Sequence, residues 1–134
     1  MEPKIYECKI CRKIIAVIKD PGTPTYCCGE EMEELIPGIE DGDAEKHVPV
    51  IKTTDALATV DVGTKEHPSS MEHYIEWIML VTSKGIYRKN ILPGEKPRAT
   101  FPLLPGEEVY EAFAYCNIHK LWKQDKVTEI PECC

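Results

Sequence analysis

The chain lacks a long hydrophobic run, and this absence excludes several classes of protein. No apolar stretch approaches the roughly 18 consecutive residues of a membrane-spanning helix, and the opening segment MEPKIYECKI lacks the hydrophobic region of a signal peptide. A basic stripe is also absent, because 16 lysines and arginines stand against 23 acidic residues. We therefore expect a cytoplasmic protein that binds neither membranes nor nucleic acid.

A convincing helical period is absent as well, whereas signals for β-strands recur from Val48 onward. Seven segments are rich in β-branched and aromatic residues and are separated by turns with glycine or proline: VPVIKTT, LATVDV, HYIEWIMLVT, GIYRKNIL, RATFPL, EVYEAFAYC and KVTEI. Seven short strands at this spacing predict an all-β domain, a sandwich of the immunoglobulin type. A chain of 134 residues has room for this domain and a small appendage.

The cysteines indicate a metal site in that appendage. Seven cysteines, an odd number, occur without an export signal, which favours thiolates over disulfides. Four of them form Cys8-x2-Cys11 and Cys27-Cys28 within residues 1–37, a segment too short for a hydrophobic core alone. We therefore predict a metal-stapled domain over 1–37, with disulfides or isolated buried thiols as the alternative. Zinc and iron both accept four sulfurs, so the spacing leaves the metal open.

All four histidines lie at strand ends or in loops of the second domain, residues 38–134, where a rigid scaffold usually displays functional groups. They are His47 after the acidic linker 39–46, His67 and His73 at the two ends of HPSSMEH, and His119 beside Cys116 in AYCNIHKLW. Four imidazoles and one thiolate exceed the usual four ligands of zinc and suit an octahedral iron with one open position. Separate roles as surface or core residues are the alternative, and the spacing alone does not choose between the two.

The motifs that carry these residues resemble those of the desulfoferrodoxins, the two-iron class of superoxide reductase. Residues 1–37 are similar to the desulforedoxin-like domain, with its Cys-x2-Cys and its vicinal Cys-Cys-Gly. AEKHVPVI, EHPSSMEHYIEWI and AYCNIHKLW resemble the three iron-binding motifs of the catalytic domain. The resemblance extends over essentially the whole chain. Two positions depart from the family pattern: Ser69 stands where a methionine is often found, and Lys120 where a glycine is.

The resemblance implies two iron ions per chain. The first iron transfers electrons and is held by Cys8, Cys11, Cys27 and Cys28. The second is catalytic, with a sixth position open to solvent, and is held by His47, His67, His73 and His119 with Cys116 as the axial ligand. The implied reaction is the one-electron reduction of superoxide to hydrogen peroxide. A rubredoxin-like electron donor and a homodimer are implied likewise.

The resemblance also gives catalytic roles to Glu45 and Lys46, which precede the first histidine. Lys46 would attract the anion and stabilise the negative charge that develops, and Glu45 would close the sixth position once the iron is ferric. The residues by themselves favour a simpler reading, a solvated pair in a charged linker.

Two other functions fit the residues. One is a rubredoxin-like electron carrier without turnover, and the other is a zinc-stapled domain that binds a protein partner. A zinc protein is colourless, whereas both iron alternatives are coloured. Oxidation of the second iron by superoxide distinguishes the enzyme from the carrier.

Overall fold

The computed structural model of the chain describes residues 3–38, 47–63 and 67–129. These residues form β-strands, and the chain divides into two compact units, Met1–Ile36 and Pro37–Cys134. The predicted all-β fold class is confirmed. Within the described ranges, no helix is long and apolar enough to cross a membrane. The predicted linker at 39–46, with Glu45 and Lys46, lies outside the described residues.

The division falls one residue before the predicted domain boundary, between residues 36 and 37. The assignment of 1–37 to a desulforedoxin-like iron domain and of 38–134 to a catalytic domain stays a prediction.

The first unit consists of a small antiparallel sheet and a short hairpin. Strand β1 (Lys4–Glu7) lies between β2 (Ile14–Val17) and β5 (Glu33–Glu34). Strands β3 (Tyr26–Cys27) and β4 (Glu30–Glu31) pair with each other. Few apolar side chains are buried among the described residues of this unit, namely those of Ile5, Cys8 and Met32. A core of this size is too small to stabilise the unit by itself, so the unit needs another source of stability.

The second unit is a sandwich of two four-stranded sheets with strand orders β10-β7-β6-β13 and β12-β11-β8-β9. The strands are β6 (Pro49–Thr53), β7 (Leu57–Val62), β8 (Ile75–Thr82), β9 (Ile86–Asn90), β10 (Arg98–Pro102), β11 (Val109–Cys116), β12 (Lys120–Gln124) and β13 (Val127–Glu129). Neighbouring strands are antiparallel, except that β13 runs parallel to β6.

The inner faces of the two sheets share one hydrophobic core. In β7, the buried residues Ala58, Val60 and Val62 alternate with more exposed ones, which is the period of a strand with one face inward. Strands β8 and β11 are instead buried on both faces over most of their length. These two strands pair at the centre of their sheet, and Cys116, the last residue of β11, belongs to the core.

The sequence predicts seven strands in this unit, whereas the structure has an eighth, β12, directly after the Cys116 motif. Its sequence KLWKQ shows no alternation, because Leu121 and Trp122 are both buried although neighbouring residues point to opposite faces of a sheet. Lys120 enters this strand with φ of 64°, in the left-handed region that glycine adopts without steric cost. A glycine would adopt this conformation more easily than Lys120 does.

Candidate metal centres

The four cysteines of the first unit converge on one point. Their four Sγ atoms all lie within 4.8 Å of one another, and none is in a disulfide. The residues are Cys8, Cys11, Cys27 and Cys28. The Sγ atoms of Cys11 and Cys27 are 3.6 Å apart, and those of Cys27 and Cys28 are 3.9 Å apart. Four sulfurs that bind one ion tetrahedrally at about 2.3 Å lie about 3.8 Å from each other, whereas a disulfide needs about 2.05 Å. The spacing therefore fits a shared metal ion.

The adjacent cysteines can share an ion because of the turn that contains them. Cys27 ends β3, and Cys28 and Gly29 connect it to β4 with φ values of 55° and 78°. Positive φ at both central residues is the pattern of a type I′ hairpin turn. Because Cys28 departs from strand geometry, its side chain is freed from the alternation that would direct it away from that of Cys27. The glycine that follows supplies the second left-handed position.

The first pair of cysteines lies in a closed backbone turn. The N–H of Arg12 donates to the carbonyl of Cys8, and the N–H of Cys8 donates to the carbonyl of Lys13, both at 2.9 Å. The backbone N–H of Cys11 lowers the pKa of Cys8 to about 7, whereas hydrogen bonding with Cys11 raises the pKa of Cys28 to about 12. Thiols this close do not all ionise at neutral pH by themselves, and a cation that binds them displaces the remaining protons.

The second unit contains the other candidate centre. One ligand atom from each of His47, His67, His73 and Cys116 lies within 4.8 Å of the others. His119 adjoins this group, with its Nδ1 at 2.9 Å from Nε2 of His47 and 3.9 Å from Sγ of Cys116. Two nitrogens bound at right angles to one ion at about 2.1 Å lie about 3.0 Å apart, so the first distance fits neighbouring ligands as well as a hydrogen bond. The structure thus brings all five predicted residues together from three segments of the chain.

The state of His67 supports a metal at this place. Its Nδ1 lies 2.7 Å from the carbonyl oxygen of Pro68, whereas its Nε2 is buried and has no hydrogen-bond partner. A proton on Nδ1 that is donated to this carbonyl leaves the lone pair of Nε2 available. Burial lowers the pKa of His67 to about 4, so the ring is neutral at pH 7, the form that binds metals. A buried acceptor without a partner is costly, and a bound ion would satisfy it.

Cys116 is placed by an irregularity in the pairing of β11 with β8. Tyr115 pairs with Trp77, but Cys116 pairs with Ile75, so Glu76 is an extra residue in β8. Bulges of this kind often redirect side chains beside functional sites. Burial raises the pKa of Cys116, and hydrogen bonds from the backbone N–H groups of His119 and Ile118 oppose this rise.

Asn117 is a functional residue that the sequence reasoning missed. Its Oδ1 accepts a hydrogen bond from the N–H of Tyr74, and its Nδ2 donates to the carbonyl of Glu72, both at 3.0 Å. Its own N–H donates to the carbonyl of Tyr74 at 3.2 Å. These bonds connect the loop that follows Cys116 with the backbone on both sides of His73. The partners are more than 40 residues away along the chain, so the motif AYCNIHKLW gives no sign of them.

Trp122 is a second such residue. Its indole ring stacks on the imidazole of His47 with ring centroids 5.0 Å apart and an interplanar angle of 23°. Its Nε1–H donates to the carbonyl oxygen of His119 at 3.0 Å. One buried side chain therefore constrains two of the five residues. The sequence places this tryptophan near His119 but gives no indication of its contact with His47.

The Asn117→Ala variant is expected to lower the free energy of unfolding of the second unit by about 1–2 kcal/mol, because two hydrogen bonds to backbone groups are lost. Urea unfolding followed by tryptophan fluorescence measures this change, since both tryptophans, Trp77 and Trp122, lie in this unit. Asn90→Ala, at an exposed position of β9, is the matched control and should shift the stability by less than about 0.5 kcal/mol. Equal unfolding midpoints for the two variants would show that the hydrogen bonds of Asn117 do not stabilise this unit.

A four-cysteine unit followed by an immunoglobulin-like sandwich with a histidine–cysteine pocket defines a non-haem metalloprotein with two metal sites. The desulfoferrodoxin family profile matches residues 39–125. A desulfoferrodoxin from Nitratidesulfovibrio vulgaris is 41% identical over 91% of this chain and 95% of its own length. The chain belongs to the desulfoferrodoxin family. Its four-cysteine group and its histidine–cysteine group match the two iron centres of a desulfoferrodoxin.

Solved structures give the same relationship. The superoxide reductase from Treponema pallidum is similar with a TM-score of 0.78 at 31% identity, over 92% of this chain and 97% of that chain. A one-iron superoxide reductase from Giardia intestinalis is similar over 60% of this chain and 95% of that chain, with a TM-score of 0.52 at 33% identity. The architecture of this chain is therefore that of superoxide reductases.

Proposed function

We propose that the protein is a superoxide reductase that transfers one electron to superoxide and releases hydrogen peroxide. The observation that carries this proposal is the convergence of His47, His67, His73 and Cys116, with His119 beside them, in a chain similar over nearly its whole length to the Treponema pallidum superoxide reductase. The balanced reaction takes one superoxide anion, one electron and two protons to one hydrogen peroxide.

The proposed ligands of the catalytic iron are His47, His67, His73, His119 and Cys116. The proposed ligands of the electron-transfer iron in the first unit are Cys8, Cys11, Cys27 and Cys28. The histidine–cysteine group would hold a ferrous ion, which would supply the electron. His67 presents a neutral ring with an available Nε2, as its burial and its bond to Pro68 require. The amides of Ile118 and His119 withdraw electron density from the sulfur of Cys116 and so moderate its donation to the metal.

The proposal is tested by pulse radiolysis of the reduced protein. Superoxide should oxidise the catalytic site, with one hydrogen peroxide formed for each superoxide consumed and no dioxygen released. A dismutase would form half as much peroxide together with dioxygen. A colourless zinc protein, or a coloured protein whose second site is not oxidised by superoxide, would exclude the reductase and support one of the two other functions.

Charge attraction by Lys46 is proposed to speed the encounter with superoxide. The overall charge of −7 repels an anion, so the loss of one local cation should change the encounter rate measurably. Lys46→Ala should slow the second-order reaction by about 10-fold and leave the resting spectrum unchanged. Added salt should slow the parent more than the variant, because ions screen exposed charges beyond about 10 Å at 0.1 M.

The matched control is Lys84→Ala, which removes an equal charge from the exposed turn after β8, at the opposite end of that strand from the Ile75–Cys116 pair. It should keep the parental rate. Glu45→Ala should change the ferric resting spectrum, because the carboxylate of Glu45 is proposed to bind the iron once it is ferric. It should leave the encounter rate nearly unchanged. Equal rates and equal salt dependence in the parent and Lys46→Ala would show that Lys46 does not attract superoxide and is only a charged residue of the linker.

Electrons for repeated turnover are proposed to come from an external one-electron donor of the rubredoxin kind, with the four-cysteine iron as an electron-transfer site. We also propose that the protein is a homodimer, as its family resemblance implies. Sedimentation equilibrium measures the assembly directly, and a mass of 15.2 kDa in solution would exclude the dimer.

A further inference from the structure

We propose that Ser69 is a positioning residue that orients the imidazole of His67 toward the metal. The proposal rests on the ligand set given above, in which His67 binds the catalytic iron.

The hydroxyl group of Ser69 forms two hydrogen bonds to a remote turn. Its Oγ donates to the carbonyl oxygen of Glu95 at 2.7 Å and accepts from the N–H of Gly94 at 2.9 Å. Both bonds go to backbone groups about 25 residues further along the chain. The segment between residues 67 and 74 has no strand or helix of its own. Its shape therefore depends on side-chain contacts such as this clamp, and on those of Asn117 at the other end.

The turn that binds Ser69 is stabilised by hydrogen bonds of its own. The N–H of Glu95 donates to the carbonyl of Leu92 at 3.0 Å, and the carboxylate of Glu95 accepts from the N–H of Leu92 at 2.7 Å. Pro93 and Gly94 are the central residues, and Gly94 has φ of 91°. Proline followed by a residue with positive φ is the signature of a type II turn. The groups that bind Ser69 are thus held in place by the turn itself.

The clamp acts on His67 through the intervening peptide. The carbonyl of Pro68 accepts the hydrogen bond from Nδ1 of His67, and this carbonyl belongs to the peptide group that leads into Ser69. Fixing Ser69 fixes that carbonyl, and the carbonyl fixes both the tautomer and the direction of the imidazole ring. Partners of this kind, one step removed from the metal, orient ligands and alter metal affinity by about 10-fold to 100-fold.

The test compares the rates at which an excess of an iron chelator removes iron from the two sites of the same molecule. The band of the ferric histidine–cysteine site and the separate absorption of the four-cysteine site report the two losses. Ser69→Ala should speed the loss from the histidine–cysteine site by about 10-fold and shift its band, with no change at the four-cysteine site. Ser83→Ala is the matched control, because Ser83 also bridges two loops by accepting from the N–H of Glu108, but beyond the far end of β8.

A second variant reaches the same contact from the turn. Gly94→Ala meets no atom within 4 Å of its new Cβ, but the positive φ is strained for alanine, so the turn should distort. It should act in the same direction as Ser69→Ala, and the double variant should be no faster than Ser69→Ala alone, because both changes break one contact.

Three results would overturn the proposal. They are a parental rate in Ser69→Ala, equal acceleration at both metal sites, and rate effects of the two substitutions that multiply in the double variant. A parent protein whose second site holds no iron would instead refute the ligand set, and that result is seen before any variant is compared. A failure to reduce superoxide would refute the proposed reaction while the iron-loss rates still test Ser69.

Discussion

The Cys116→Ser variant is expected to keep its fold and to lose the reduction of superoxide. Cys116 is fully buried and belongs to the hydrophobic core, so an amino acid of similar size preserves most of the packing. The amides of Ile118 and His119 find an oxygen acceptor in place of the sulfur. A serine hydroxyl does not ionise at neutral pH, however, so the thiolate that would bind the iron is removed. The thiolate-to-iron charge-transfer band should disappear, and the rate with superoxide should fall by about 100-fold or more.

The matched control is Cys11→Ser, which changes an exposed cysteine of the first unit. Its effects should be confined to the first unit, including the absorption of the four-cysteine site, and it should leave the reaction of the second site with superoxide intact. An unchanged catalytic spectrum in Cys116→Ser would mean that Cys116 does not bind the iron. Changes at both sites in either variant would contradict the separation of the two ligand sets.

The second large effect is expected from Cys8→Ser, which should unfold the first unit. Apart from Cys8 itself, the buried hydrophobic residues in residues 3–36 are Ile5 and Met32. Two such side chains contribute only about 3–6 kcal/mol, far less than the conformational entropy lost when the segment is ordered. A structural metal ion contributes about 10–16 kcal/mol in zinc-finger peptides, so the loss of one of its four ligands should remove the main source of stability.

Heteronuclear NMR spectroscopy measures this outcome for each residue. The amide signals of β1 and β2 should collapse to random-coil positions, while those of β8 and β11 stay dispersed. Tryptophan fluorescence should stay parental, because both tryptophans belong to the second unit. The matched control Cys116→Ser should leave the first unit folded. Dispersed signals from residues 3–36 without metal would show that the small sheet is stable by itself.

The cysteines of the first candidate metal centre could be identified from the sequence because cysteine in this pattern has few other uses. Cys8-x2-Cys11 and the vicinal cysteines imply a shared ion, and the structure brings all four sulfurs together. The histidines were harder, since their spacing alone left separate roles open. The resemblance of three motifs to those of one family indicated that the histidines share one metal site.

Seven strands of the second unit were predicted from segments rich in β-branched and aromatic residues, and the short strand β12 was missed. Strand β7 alternates and was identified, whereas β12 was not, because Leu121 and Trp122 are buried on opposite faces. Trp122 is covered by His47, a residue more than 70 positions earlier in the chain, and no local pattern can show that contact. The parallel pairing of β13 with β6 is likewise a relation between distant segments.

The sequence by itself determined which residues can bind metal and that the second unit is a β domain, and it predicted that a metal stabilises the first unit. These properties depend on residue chemistry and on periods of a few residues. Only the tertiary structure decided how close the four histidines and the cysteine of the second candidate metal centre lie. Their spacing is set by the bulge between β8 and β11 and by the contacts of Ser69, Asn117 and Trp122, each of which reaches a segment remote along the chain. Such contacts exist only after the sheets have paired, because pairing determines which distant residues become neighbours.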